Sequence, residues 1–121
     1  LKTELERDPP YGAAVSFEGH AASGWHAPIL KPWLHEALDM ASQSWYSQPA
    51  MYMGEGGTIP FMGMLGDKFP RAQFVITGVL GPGSNAHGPN EFLHLGMAKN
   101  LTGCVAQIIQ TSGERSRARG A

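Results

Sequence analysis

The sequence predicts an α/β fold with several helices and few strands. Apolar residues recur every three or four positions in three segments, which is typical of helices with one buried face. Phe74, Val75 and Ile76 are consecutive and apolar, which is typical of a strand covered on both faces. A hydrophobic fraction of 42% is enough to form a core. We therefore expect a folded domain and not a disordered chain.

The first 28 residues predict one short strand between irregular segments. Residues 1–13 are charged at first and then rich in Pro and Gly, which indicates a turn or an extended segment. Ala14–Glu18 alternates apolar and polar residues, as a half-buried strand does. Residues 19–28 form a loop that contains His20, Trp25 and His26.

Two helices are predicted in the middle of the chain. The first extends from about Lys31 to Ser47, because Pro32 suits a first helical turn and apolar residues follow at helical spacing. The second extends from about Ile59 to Phe69, with Thr58 as its N-cap residue. A loop over residues 51–57 joins them.

The last third predicts a strand, a loop and a helix. Gln73–Gly78 is the strongest strand in the chain. A helix is expected from about Met97 to Gln110, and Ser112–Ala121 has the composition of a flexible, solvated tail. A buried strand needs neighbours on both edges, and Ala14–Glu18 is the one other candidate. We therefore expect the sheet to continue in sequence outside this chain.

Composition excludes several classes of protein. Nine basic and ten acidic residues give a net charge of −1, which argues against nucleic acid or an anionic membrane as the partner. One cysteine excludes a disulfide framework and a cysteine-based zinc site. No apolar run is long enough for a signal peptide or a spanning helix. A cytoplasmic location is the default expectation. The sixteen glycines and nine prolines predict much loop and turn.

The first loop with possible chemistry is Gly54–Pro60, which leads into a predicted helix. Backbone N–H groups at a helix N-terminus can bind a carboxylate or an oxyanion, and glycines allow close approach. Thr58 adds a hydroxyl donor at the same place. The alternative is an ordinary glycine-rich turn before a capped helix.

The second such loop contains His87 between two clusters of Gly and Pro. It follows the predicted buried strand, where α/β sheets place their ligand sites. The imidazole could bind zinc, act as an acid or base, or cap a turn. Glu91 could orient His87 or neighbouring backbone. No second ligand lies at usable local spacing, so a structural zinc site is not expected. His35 and His94 are expected to be packing or solvent residues, and Cys104 a buried apolar one.

The two loops, in this order, resemble the C-terminal part of the co-catalytic zinc peptidases and amidohydrolases. That family includes carnosinases and related dipeptidases, acetylornithine deacetylase and succinyl-diaminopimelate desuccinylase. The matching segments are Gly54–Pro60, Phe74–Gly78 and Gly83–Phe92. The region of Gly19-His20 and Gly24-Trp25 resembles the end of the lid domain in the dipeptidase branch. Carnosinase-type members often have a basic residue where this chain has Gly54.

The resemblance implies a fold and a division into domains. This chain would be the C-terminal portion of a three-layer α/β/α catalytic domain, preceded by the last strand of a lid domain. Residues 1–28 would end the lid, which is a dimerisation domain in the family, so that a homo-oligomer is possible. Residues 29–111 would belong to the catalytic domain, and residues 112–121 would form the tail.

The resemblance also implies roles for individual residues. His87 matches the last zinc ligand of the family. Asn85 and Glu91 would position His87 without binding the metal themselves. The expected contacts with substrate are Glu55, Gly56, Gly57, Thr58 and the lid residue His20. The substrate would be a small peptide or an N-acyl amino acid, and the cofactor would be a pair of zinc ions.

The rest of the family's machinery would lie in the remainder of the catalytic domain. Its His-x-Asp motif and its pair of adjacent glutamates do not occur in these 121 residues. We therefore expect this chain alone to be inactive, although the parent protein would be a zinc hydrolase. Two alternatives remain open. The chain could be a non-catalytic binding or assembly module, or it could complete an active site with a separate polypeptide.

Overall fold

The computed structural model describes residues 2–19, 24–54 and 60–120, and these residues form an all-helical structure. Four α-helices are present in them: α1 (Lys2–Arg7), α2 (Pro32–Tyr46), α3 (Pro60–Lys68) and α4 (Leu95–Gly120). A tight turn at Pro10–Gly12 follows α1. Extended and irregular segments connect the helices.

The predicted α/β fold, and with it the three-layer α/β/α catalytic domain, is wrong for the described residues. None of them forms a strand, including both predicted strands, Ala14–Glu18 and Gln73–Gly78. The physical reason is that a strand needs the backbone of a neighbouring strand to satisfy its N–H and C=O groups. Phe17 N–H donates instead to the Glu6 carboxylate over 2.8 Å, and the Lys2 ammonium donates to the Phe17 carbonyl oxygen.

Two of the predicted helices are present close to their predicted positions. The helix predicted from Lys31 to Ser47 is confirmed as α2, which begins with Pro32 at its first position. It ends at Tyr46, and its C-cap residue, Ser47, has a left-handed φ of 56° and donates its N–H to the Gln43 carbonyl. The α3 helix lies within its predicted range, although its predicted N-cap residue, Thr58, is outside the described residues.

The α4 helix is longer than predicted. It continues past Gln110 as far as Gly120, so residues 112–120 are helical where a tail was expected. Arg117 and Arg119 lie in its last turn, where cationic side chains interact favourably with the negative end of the helix dipole. Serine, glycine and arginine suggested a solvated tail, but arginine is a good helix former.

The core lies between α2 and α4. Its buried apolar residues are Leu34, Ala37, Ala41 and Cys104. The two alanines let the helices approach closely, and the Cys104 thiol donates to the Ala41 carbonyl oxygen over 3.4 Å. Burial raises the pKa of that thiol. The prediction that Cys104 is a buried apolar residue is confirmed.

Polar contacts at both ends show that α2 and α4 are antiparallel. Near the end of α2, the Tyr46 hydroxyl donates to the Met97 carbonyl at the start of α4. At the other end, the Arg115 guanidinium lies 5.4 Å from the centre of the Trp33 ring. In between, Trp45 Nε1 donates to Gln107 Oε1 over 3.2 Å.

The short helix α3 is attached through Trp25. A Cβ atom at Gly66 would lie 2.7 Å from the indole Nε1, so the ring can rest on α3 because Gly66 has no side chain. The indole also packs against Phe74, edge to face, with ring centres 5.1 Å apart. Trp25 thereby joins α3 to the segment that leads towards His87.

Much apolar surface remains accessible. The chain exposes 9877 Å², whereas a compact monomer of 13.0 kDa exposes about 6,300 Å². Ile29, Met51 and Met53 are each more than four-fifths exposed. None of the helices in the described part of the chain has an apolar stretch that could cross a membrane.

The contact between Trp45 and Gly103 predicts how a side chain at position 103 changes the stability of the fold. A Cβ atom at Gly103 would lie 2.3 Å from the indole of Trp45, so Gly103→Ala must displace the ring. Helix propensity favours alanine by about 1 kcal/mol, but overpacking costs about 1–3 kcal/mol. We expect a net loss of about 1 kcal/mol in the free energy of unfolding, measured by urea denaturation.

Gly113→Ala is the matched control, because this glycine is in the same helix with nothing within 4 Å of the added Cβ atom. It should stabilise the chain by about 0.5–1 kcal/mol. Equal effects of the two substitutions would show that Trp45 does not pack on Gly103 as described.

Candidate functional site

His87 lies in a loop of unusual backbone conformation, residues 81–94, which we call the His87 loop. It connects the extended segment after Gln73 to α4. Five of its residues have positive φ: Gly81, Gly83, Asn85, His87 and Asn90. Such a conformation is ordinary for glycine, and asparagine and histidine adopt it more often than other residues do. His87 adopts it with a φ of 61°.

Hydrogen bonds within the loop close it on itself. Ser84 is 4% exposed, and its hydroxyl donates to the Gly81 carbonyl over 2.6 Å. The Phe92 N–H donates to the Ser84 carbonyl, so the two sides of the loop are joined at their base. These bonds satisfy backbone groups that lie outside any helix, and they restrict the position of the residues between them.

Gly81 is required at the base of the loop. A Cβ atom on it would lie 2.4 Å from His94 Cβ, and its φ of 69° is left-handed. His94 itself caps α4, because its Nδ1 accepts a hydrogen bond from the Met97 N–H over 3.0 Å. His94, expected to be a packing or solvent residue, therefore has a structural role at the start of this helix.

Glu91 and Asn85 hold the backbone around His87. The His87 N–H donates to Glu91 Oε2 over 3.0 Å. Asn85 Nδ2 donates to the Pro89 carbonyl over 2.7 Å, across the turn that contains His87. Of the two possibilities for Glu91, orienting the imidazole or orienting backbone, the structure contains the backbone contact. The imidazole of His87 belongs to an exposed residue.

The structure brings three predicted site residues together and leaves the others outside the described residues. Asn85, His87 and Glu91 lie in one loop. The expected substrate contacts His20, Glu55, Gly56, Gly57 and Thr58 are all outside the described residues. Among the described residues, no group of three or more His, Cys, Asp or Glu side chains is placed to hold a metal ion. His87 could provide one imidazole ligand from this loop.

A second polar cluster lies between α2 and the segment that follows it, and it was missed by the sequence analysis. His35 Nδ1 is 3.3 Å from Asp39 Oδ2, and the other carboxylate oxygen of Asp39 accepts a hydrogen bond from the Ala50 N–H. The ring of Tyr52 stacks on that of His35 with centres 5.7 Å apart. Partial burial and the Asp39 charge raise the pKa of Tyr52. The spacing of four between His35 and Asp39 on a helix is a signal that could have revealed the pair.

The sequence was compared with known proteins. No protein-family model matches the chain, and no curated protein matches it either.

The bond between Glu91 and the His87 backbone predicts a change in amide exchange. Glu91→Ala removes the acceptor, so the His87 N–H should exchange with solvent about tenfold faster, as expected for the loss of a hydrogen bond of about 1.4 kcal/mol. Hydrogen exchange followed by NMR measures this rate. Glu91→Gln retains an oxygen acceptor and is expected to stay within about threefold of the unmodified chain. An unchanged rate in Glu91→Ala would contradict the assignment.

Proposed function

We propose that this chain is part of a zinc-dependent metallopeptidase or dipeptidase, in which His87 is a zinc ligand. The observation that carries the proposal is the placement of His87. His87 is exposed. Its backbone N–H is bonded to Glu91, and the loop around it closes through Ser84. A ligand that is pre-positioned in this way loses little freedom when it binds a metal ion. The similarity of Gly54–Pro60 and Gly83–Phe92 to the zinc peptidases supports the same assignment.

The proposed reaction is hydrolysis of the amide bond of a dipeptide or an N-acyl amino acid. His87 would hold one of two zinc ions, and the other ligands would come from the remainder of the catalytic domain. Zinc, when bound, lowers the pKa of a water molecule and polarises the scissile carbonyl. Residues 55–58 and His20 would contact the substrate. Asn85 and Glu91 would keep His87 in position through the backbone.

The accessible apolar surface supports the view that this chain packs against further protein. It exposes about half as much area again as a compact monomer of its mass. Large exposed apolar patches mark surfaces that contact other protein. The partner that the proposal requires is the part of the enzyme that holds the other zinc ligands, and a homo-oligomer is a further possibility. We place the enzyme in the cytoplasm.

The test uses the polypeptide that carries this sequence in its own cells. An antibody against the chain would isolate it, and its mass, its zinc content and its hydrolysis of dipeptides and N-acyl amino acids would be measured. We expect about two zinc ions per polypeptide and hydrolysis that a chelator abolishes. A species without zinc or without such hydrolysis would overturn the proposal.

His87→Ala, introduced into the gene, tests the residue itself. We expect loss of zinc and a fall in hydrolysis of at least about 100-fold, since a metal ligand is removed. His26→Ala is the matched control, because His26 is also an exposed histidine outside regular structure. The chain of 121 residues alone, with added zinc, should not hydrolyse the same substrates. Hydrolysis by the isolated chain would show that the assignment of the missing ligands to further protein is wrong.

A further inference from the structure

A groove of about 540 Å³ lies between α2, α4 and the extended segment after α3. This volume is in the range of small-molecule sites. Residues 71, 73, 75 and 77 line it, so alternate positions of the extended segment face the groove. One face of α4, from Val105 to Arg119, forms the opposite wall. The groove lies on the side of α4 that faces away from Trp45 and Gly103.

Gln73 holds the extended segment next to the residues that precede α2. Its Oε1 accepts a hydrogen bond of 2.6 Å from the Lys31 N–H, immediately before α2. Its Nε2 donates to the Ile29 carbonyl over 3.5 Å. One side chain thus fixes the extended segment to the start of α2. The groove is therefore a defined part of the fold.

The groove is cationic. Lys31, Arg71, Arg115 and Arg119 line it, and none of the described residues that line it carries a carboxylate. These cations come from three different elements, so the dipole of α4 explains at most those in its last turn. Thr77, Ser112 and Ser116 add hydroxyl groups. Four cations in a lining that has no carboxylate among the described residues repel one another. An anion bound between them would offset this electrostatic repulsion.

Arg115 gives a second, independent indication of a ligand. Its guanidinium lies over the Trp33 ring, and its Nε atom is buried without a hydrogen-bond partner among the described residues. A buried donor without an acceptor costs about 1–3 kcal/mol. Such a donor in a native structure calls for an acceptor, and an anion bound in the groove would supply one.

Apart from Gln73, the rest of the lining is apolar or aromatic. Val75, Val105 and Ile108 lie in it, together with Leu34 and Ile109. Apolar walls with a few convergent polar groups are the usual composition of a small-molecule site. The ligand that fits them has an anionic group at one end and an apolar or aromatic body.

We propose that this groove binds a small organic anion, with its phosphate or carboxylate group among Arg71, Arg115 and Arg119 and its apolar body on Val105 and Ile108. Guanidinium groups bind both kinds of anion through paired N–H donors. This site is independent of the zinc ligand His87 and would exist whether or not the chain belongs to a peptidase.

The probe is 1-anilinonaphthalene-8-sulfonate, whose fluorescence rises in an apolar site, titrated onto the full chain. Its neutral counterpart, N-phenyl-1-naphthylamine, has the same ring body without the anionic group. We expect the sulfonate to bind at least about tenfold more tightly than the neutral compound, and we expect added NaCl to reduce this difference. Equal affinities would overturn the proposal, since they would mean that apolar surface alone binds the probe.

Substitutions locate the site. Arg71→Gln and Arg119→Gln should each weaken sulfonate binding about tenfold and leave the neutral compound unaffected. Arg117→Gln is the matched control, because it removes the same charge from the same helix but does not line the groove. Circular dichroism shows whether each variant is folded. Arg71 and Arg119 lie in different elements, so if one variant fails to fold, the other still tests the site. A loss of affinity equal to that of Arg117→Gln would overturn the proposal.

Competition identifies the anionic group. Naphthyl phosphate and naphthoate are added to the chain with the sulfonate bound, and displacement by either supports the site and names its preferred group. If neither displaces the sulfonate, the proposal is wrong.

Discussion

The packing of α2 on α4 is the constraint on which the rest of the structure depends. Alanine at 37 and 41 and cysteine at 104 are small enough for the two helix backbones to come close, as the bond from the Cys104 thiol to the Ala41 carbonyl shows. The antiparallel arrangement brings Trp33 to Arg115 at one end and Tyr46 to Met97 at the other. It thereby forms one wall of the cationic groove and fixes the start of α4, next to the His87 loop. A larger residue at position 41 would disturb both regions at once.

The His87 loop depends on this packing through one junction. Gly81 approaches His94, and His94 caps the helix that α2 holds in place. The left-handed residues of the loop cost free energy, and the hydrogen bonds around Ser84 and Glu91 offset that cost. The cap of α4 at His94 and the closed loop around Ser84 together restrict the position of the exposed His87.

The helices could be predicted from the sequence because their signals are local. In α2, apolar spacing and Pro32 suffice to place the element. The strands could not be predicted in this way, because a strand exists only when another strand pairs with it. Phe74, Val75 and Ile76 have the composition of a buried strand, yet no strand pairs with them among the described residues. Arg115 and Arg119 were assigned to a tail because their composition is polar. Their spacing of four is visible in the sequence, but the helix that continues through them and the position of Arg71 in the same groove are visible only once the chain is folded.

The position of Trp25 between α3 and Phe74 has a practical consequence. The three tryptophans of the chain lie at three separate junctions: Trp25 against Gly66, Trp33 beneath Arg115 and Trp45 over Gly103. Each indole therefore has a different neighbour, and each can be the one tryptophan observed, with excitation at its red edge to avoid tyrosine, after the other two are replaced by phenylalanine. Emission from Trp25 would follow the docking of α3, and emission from Trp33 would follow occupancy of the groove. Three single-tryptophan variants could thus report the loosening of three different contacts of this chain, each without an added label.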